Sequence, residues 1–167
     1  MLNGIIEFFK NTFGHGPFKA VAILLISMIP VLELRAGIPV GYALQLPWVE
    51  TFLVAVIGNL IPIPFILLFI KHIFAFMKKH NIFPKLVEKL ENRAAKKSGS
   101  VSSMEFWGLV IFVGIPLPGT GGWTGALVAA LLEMDFKKAM LACTLGVFIA
   151  AFIVTLVTYG LIDFIIR

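Results

Sequence analysis

Two opposite charges sit two residues apart in apolar surroundings: Glu33 and Arg35, within Pro30-Val31-Leu32-Glu33-Leu34-Arg35-Ala36-Gly37-Ile38-Pro39. Charge-free runs of 13 residues (Ala20–Leu32) and 14 residues (Ala36–Val49) flank them. A charge near the centre of a bilayer costs at least about 2.5 to 3.5 kcal/mol, so such residues mark a candidate functional site. Arg35 offers a planar fork suited to phosphate or carboxylate. Burial favours the neutral form of a carboxyl group, which makes Glu33 a candidate proton carrier. On a regular helix residues i and i+2 point apart; at an unwound turn both can face one cavity. The competing reading is a mutual ion pair that only stabilises the turn.

A second stretch offers different tools. Residues 106–132 carry no charge, and at their centre stands Ile115-Pro116-Leu117-Pro118-Gly119-Thr120-Gly121-Gly122-Trp123-Thr124-Gly125. Gly119, Gly121 and Gly122 expose backbone N–H groups. A helix starting near Trp123 would aim its positive end at them, a ready anion site. Thr120 and Thr124 add hydroxyls, and Trp123 is a candidate cavity wall. Asn59 is a further polar candidate near mid-membrane. Close packing of small residues is the structural alternative for the glycines, threonines and Trp123, and a helix–helix hydrogen bond is the alternative for Asn59.

The elements that must position these groups follow from the breakers. The 27 residues of 106–132 would make a straight helix of about 40 Å, against a hydrocarbon slab of about 30 Å. Prolines remove backbone donors and glycines raise the cost of helix, so the centre breaks. Non-helical backbone at membrane depth is tolerated only where protein or water surrounds it. Each breaker-rich segment therefore predicts two half-helices around an unwound tip, a re-entrant hairpin. The tip residues are Pro30, Gly37 and Pro39 in the first, and Pro116, Pro118, Gly119, Gly121, Gly122 and Gly125 in the second. The alternative is a tilted, kinked span.

Thr51–Ile70 and Ala139–Ile162 are uncharged runs of 20 and 24 residues, long enough to cross. Pro62 and Pro64 predict a kink in the first, and Trp48 an anchor at its edge. With 59% hydrophobic and 14% charged residues, against about 25% charged in soluble domains, the chain reads as one integral membrane domain. Its expected parts are an interfacial amphipathic helix at 1–16, a first repeat at 18–76, a basic loop with a surface helix at 77–104, and a second repeat at 105–167. Eight of the fourteen Lys and Arg lie between Lys71 and Lys97. Such a cluster places the loop in the cytoplasm, against anionic lipid, and does not indicate nucleic acid. Cys143 is the one cysteine, so it forms no intrachain disulfide and reads as packing. No cleavable signal peptide is evident.

The halves repeat. Ile29-Pro30 matches Ile115-Pro116, and Leu44, Trp48 and Gly58 match Leu132, Phe136 and Gly146 at a constant offset of 88. Full crossing by the breaker-rich segments would make the halves parallel. Re-entrant hairpins would leave one crossing per half and make them inverted, the familiar plan of secondary transporters.

The two motifs together resemble the small multidrug export protein family of prokaryotic membrane proteins, over nearly the whole chain. That family is distantly similar to the DedA (SNARE-associated, VTT-domain) superfamily. The resemblance implies opposed re-entrant hairpins and transport, of small molecules or, in the DedA manner, of phospholipid or polyprenyl-phosphate. DedA proteins carry arginine in the second hairpin region. Here Phe106–Leu132 has none, and Arg35 is the cation at the tips.

His15, His72 and His80 form no ligand set, so no metal is expected. No phosphate loop, nucleophile elbow or zinc-protease motif is present, so neither an enzyme nor a cofactor is expected. The expectation is an all-α multi-pass protein of the cytoplasmic membrane, an inverted repeat of hairpin plus transmembrane helix. It would act as a secondary exporter, proton-coupled through Glu33 and homo-oligomeric around its half-buried hairpins. The alternatives are a lipid translocase using the same cavity and a scaffold that moves nothing.

Overall fold

The computed structural model describes residues 18–79, 103–117 and 119–161. Every regular element within them is helical: α1 (Phe18–Met28), α2 (Glu33–Ala43), α3 (Trp48–Leu60), α4 (Pro62–Lys79), α5 (Ser103–Gly114), α6 (Gly122–Leu131) and α7 (Phe136–Thr155), whose end continues as a π-helical segment, Leu156–Leu161. The interfacial helix expected at 1–16, the basic surface helix expected from Pro84 to Ala94, and Pro118 lie outside the described residues.

Two helical runs are long and apolar enough to cross a membrane, Trp48–Phe69 with 22 residues and Phe136–Gly160 with 25. At 1.5 Å per residue they reach about 33 and 38 Å. The interruption expected at Pro62 and Pro64 is a single residue, Ile61, which keeps α-like backbone angles (φ −53°, ψ −48°). The path therefore carries on from α3 into α4.

The breaker-rich segments are broken, and each yields two short helices. α1 and α6 have 11 and 10 residues, so they reach about 15 to 17 Å, half the slab. The first break spans Ile29–Leu32, with Val31 at φ +75° and Glu33 at φ +50°. A β-branched residue at positive φ is strained, and it persists only where its surroundings fix it. The second break spans Ile115–Gly121. Gly121, at φ +146°, holds a conformation open to little but glycine.

The breaks are tighter than the breakers predict. Gly37 and Pro39 lie inside α2 and Gly125 inside α6, so they are not tip residues. The reason is packing. A Cβ on Gly37 would overlap Ser27 Oγ, and one on Gly125 would overlap a Val113 methyl. Each glycine lets the second short helix lie close against the first.

α1, α2 and α3 pack on one another, as do α5, α6 and α7; α3 and α2 meet α7, and α4 meets α6. One apolar core joins both halves, with Ile38, Val56 and Ile63 from the first beside Val113, Ala126 and Cys143 from the second. The offset of 88 recurs in the backbone. After α2, the N–H groups of Leu44, Gln45 and Leu46 donate to Val40, Tyr42 and Gly41 carbonyls; after α6, those of Leu132, Glu133 and Met134 donate to Val128, Ala130 and Ala129. Gln45 and Glu133 both take positive φ, +58° and +52°. Gly58 and Gly146 then fill matching places, where a Cβ would stand 2.6 Å from Leu24 O and 2.9 Å from Val110 O.

The start of the first long run lies against the end of the second. Tyr159 Oη donates to Leu46 O at 3.1 Å and lies 2.8 Å from Thr51 Oγ1.

Adding a methyl at either close approach should cost about 1 to 3 kcal/mol, as overpacking does. Gly58→Ala and Gly146→Ala should each lower the thermal unfolding midpoint in detergent. Gly108→Ala, whose Cβ meets nothing within 4 Å, should leave it unchanged or raise it.

Candidate functional site: the junction of the two breaks

An α-helix leaves its first four N–H groups and last four carbonyls without partners inside the helix. In apolar surroundings each such group must find one elsewhere. Here each break supplies partners for the other. Glu33, the first residue of α2, is 4% exposed. Its Oε1 accepts the backbone N–H of Trp123 at 3.0 Å, and the carboxylate also accepts that of Gly122. It therefore caps the positive end of α6, where negative charge is stabilised. In return Trp123, in the first turn of α6, donates its indole N–H to the carbonyl of Met28, the last residue of α1, at 3.1 Å.

Arg35 makes the third link. Nη2 donates to Thr120 Oγ1 at 3.1 Å, and Nη1 donates to Leu117 O. Thr120 organises the loop it belongs to. Its hydroxyl accepts the Leu117 N–H at 3.2 Å and shares its own proton between Ile115 O at 2.6 Å and Leu117 O at 2.9 Å. Glu33 and Arg35 attract each other electrostatically, and their hydrogen bonds go elsewhere. Both reach across to the second break, and Arg35 is held by neutral oxygens.

Of the residues the sequence singles out, Glu33, Arg35, Thr120 and Trp123 come together. Asn59 stands beside them, 1% exposed, its Oδ1 without a partner and 3.2 Å from where a Cβ of Gly122 would be. Thr124 follows on α6, half-buried, and takes no part in the hydrogen bonds of the junction. Two features escape the sequence reading. One is the indole bond to Met28. The other is why position 121 must be glycine beyond its backbone angle: a Cβ there would overlap the Glu33 carboxylate. The offset of 88 was the available signal, because it pairs position 33 with position 121.

The junction lies within a recognisable family. A family model described as "Putative small multi-drug export protein" matches residues 33–153, from Glu33 to the last turn of α7. The chain belongs to that family. No curated protein and no solved structure matches it. The match begins just after the first break and contains the second break, the first long run and most of the second, so it covers every residue of the junction except Met28.

Removing the cap of α6 should be felt at Trp123. Trp48 and Trp107 are mostly exposed, and Trp123 is half-buried. In a Trp48→Phe/Trp107→Phe background, Glu33→Ala should shift Trp123 emission and destabilise the fold by about 1 to 3 kcal/mol, the cost of stranding buried donors. Gly121→Ala should do the same without removing a polar group, because its Cβ would displace the Glu33 carboxylate.

Proposed function

We propose that this family member is a secondary exporter of small molecules in the cytoplasmic membrane, coupled to protons through Glu33. In this reading the two breaker-rich segments are re-entrant hairpins that enter from opposite faces, and each is followed by one crossing helix. Three observations support that topology. The short helices are about half a bilayer long. The cap geometry repeats at an offset of 88. The first residues of one long run lie against the last residues of the other, as helices crossing one slab in opposite directions must. The tips would then meet near the midplane, and neighbouring copies in a homo-oligomer would cover the hairpins' outer faces.

The observation that carries the functional reading is the buried Glu33 carboxylate spanning the tip junction onto α6. Charge-assisted hydrogen bonds are roughly twice as strong as neutral ones. A proton added to Glu33 removes the charge and weakens its hold on the Gly122 and Trp123 N–H groups. The tips then part more easily, and the positive end of α6 is free to take a polar or anionic group of the substrate. The hydrogen-bond partners of Arg35 are neutral oxygens, and protonation of Glu33 removes the negative charge nearby, so the guanidinium is available to the same group once the loop moves. Asn59 Oδ1 offers an acceptor beside it.

The test uses the full chain in proteoliposomes with an imposed pH gradient and a pH-sensitive dye inside. Candidate small molecules should evoke proton flux. Glu33→Gln should lose at least tenfold of that flux, and Arg35→Ala should lose transport, with both variants still folded by circular dichroism. Labelled phospholipid crossing the bilayer without proton flux would favour a DedA-type lipid translocase. Variants that change only assembly, with nothing moved by the unaltered chain, would favour a scaffold.

A further inference from the structure

The start of α6 already holds a carboxylate, and it is the chain's own. Glu33 Oε1 accepts the Trp123 N–H at 3.0 Å, and the same carboxylate accepts that of Gly122. Among the described residues, the charge that acts on Glu33 is that of Arg35. The elements packed on α2 bring no other. Lys19 of α1 donates to Leu44 O beyond the far end of α2. Glu50 stands in the first turn of α3, and Lys137 and Lys138 in the first turn of α7. Cys143 of α7 faces Gly125, and Tyr159 donates to Leu46 O.

Beside this bound carboxylate stands an acceptor with nothing to accept. Asn59 is 1% exposed, and its Oδ1 has no hydrogen-bond partner. It lies 3.2 Å from where a Cβ of Gly122 would be, so it is aimed at the residue whose N–H goes to Glu33. A buried acceptor left without a donor is costly, and an ionised carboxylate has no proton to give it. The start of α6 thus satisfies its own donors and leaves the neighbouring acceptor unserved.

The resident group sets the chemistry of whatever replaces it. A proton on Glu33 loosens the carboxyl from α6 and removes the negative charge near Arg35. A ligand carboxylate restores both: it takes the Gly122 and Trp123 N–H groups and suits the planar fork of Arg35. A ligand cation would meet the positive end of α6 and a guanidinium together, which is unfavourable. We propose, resting on the exporter reading above, that the substrates are small 2-hydroxy acids. Their carboxylate replaces that of Glu33 at the start of α6, and their hydroxyl donates to Asn59 Oδ1. Proton and acid enter the junction together. One carboxylate and one guanidinium are charged there before and after, so the loaded junction carries acid and proton in the same direction without net charge.

Lactate and propionate are the probes, because they differ only in the 2-hydroxyl. The full chain in lipid nanodiscs, in the Trp48→Phe/Trp107→Phe background, should answer lactate with a saturable change in Trp123 emission. While Glu33 is ionised, the half-saturating concentration should rise about tenfold for each unit that the pH is raised, the slope of one proton bound with each ligand. Glu33→Gln, neutral at every pH, should bind lactate without that slope, and Arg35→Ala should bind neither acid. Propionate should bind about three- to tenfold more weakly than lactate, the worth of one hydrogen bond. Asn59→Leu should abolish that difference and keep propionate binding. A response that never saturates, or one without a pH slope in the chain that retains Glu33, would overturn the proposal, whether or not any variant folds. Equal binding of lactate and propionate to that chain would overturn the 2-hydroxy class. Glu33-dependent proton flux evoked by organic cations, with neither acid bound, would overturn the proposal and leave proton-coupled export standing. Binding as described, with no solute evoking flux, would overturn export and leave a carboxylate site.

Discussion

An interrupted helix leaves donors and acceptors that its own turns cannot satisfy. That constraint governs this fold. Two such interruptions are present, and the structure satisfies each with the other. Glu33 takes the first N–H groups of α6, Trp123 takes the last carbonyl of α1, and Arg35 takes the loop that joins α5 to α6. This is why the two halves of a short chain are bound together at their least helical points.

The same groups that satisfy the backbone are the ones able to do chemistry. A carboxylate at a helix N-terminus is a stable arrangement while it is ionised, and it becomes a weaker one when it takes a proton. A guanidinium whose hydrogen bonds go to carbonyl and hydroxyl oxygens is anchored by neutral groups. Structural need and functional capacity therefore converge on Glu33 and Arg35. The scaffold around them is rigid in a specific way: Gly37, Gly58, Gly125 and Gly146 bring backbones together where a methyl would not fit.

Much of this was legible in the residue order. Prolines and glycines located both breaks, two uncharged runs located the long helices, and matches such as Gly58 with Gly146 gave the offset that reappears in the cap hydrogen bonds. What was not legible depends on partners far along the chain. The links of the junction join residues 82 to 95 positions apart, and no local pattern reports such pairing. Hence Glu33 and Arg35, adjacent in sequence and opposite in sign, read as a possible pair, although each is engaged elsewhere. Gly37, Pro39 and Gly125 read as loop because glycine and proline weaken helix; their helices persist because close packing outweighs that preference.

Positions 33 and 121 stand 88 residues apart, the offset at which the two helix ends match, yet one bears the longest acidic side chain and the other bears none. The space is single, and the carboxylate fills it. In descendants of this chain the two sites are thus bound to drift in concert: a residue larger than glycine at 121 demands a shorter one at 33. The two helix ends match, and this one shared volume obliges positions 33 and 121 to differ.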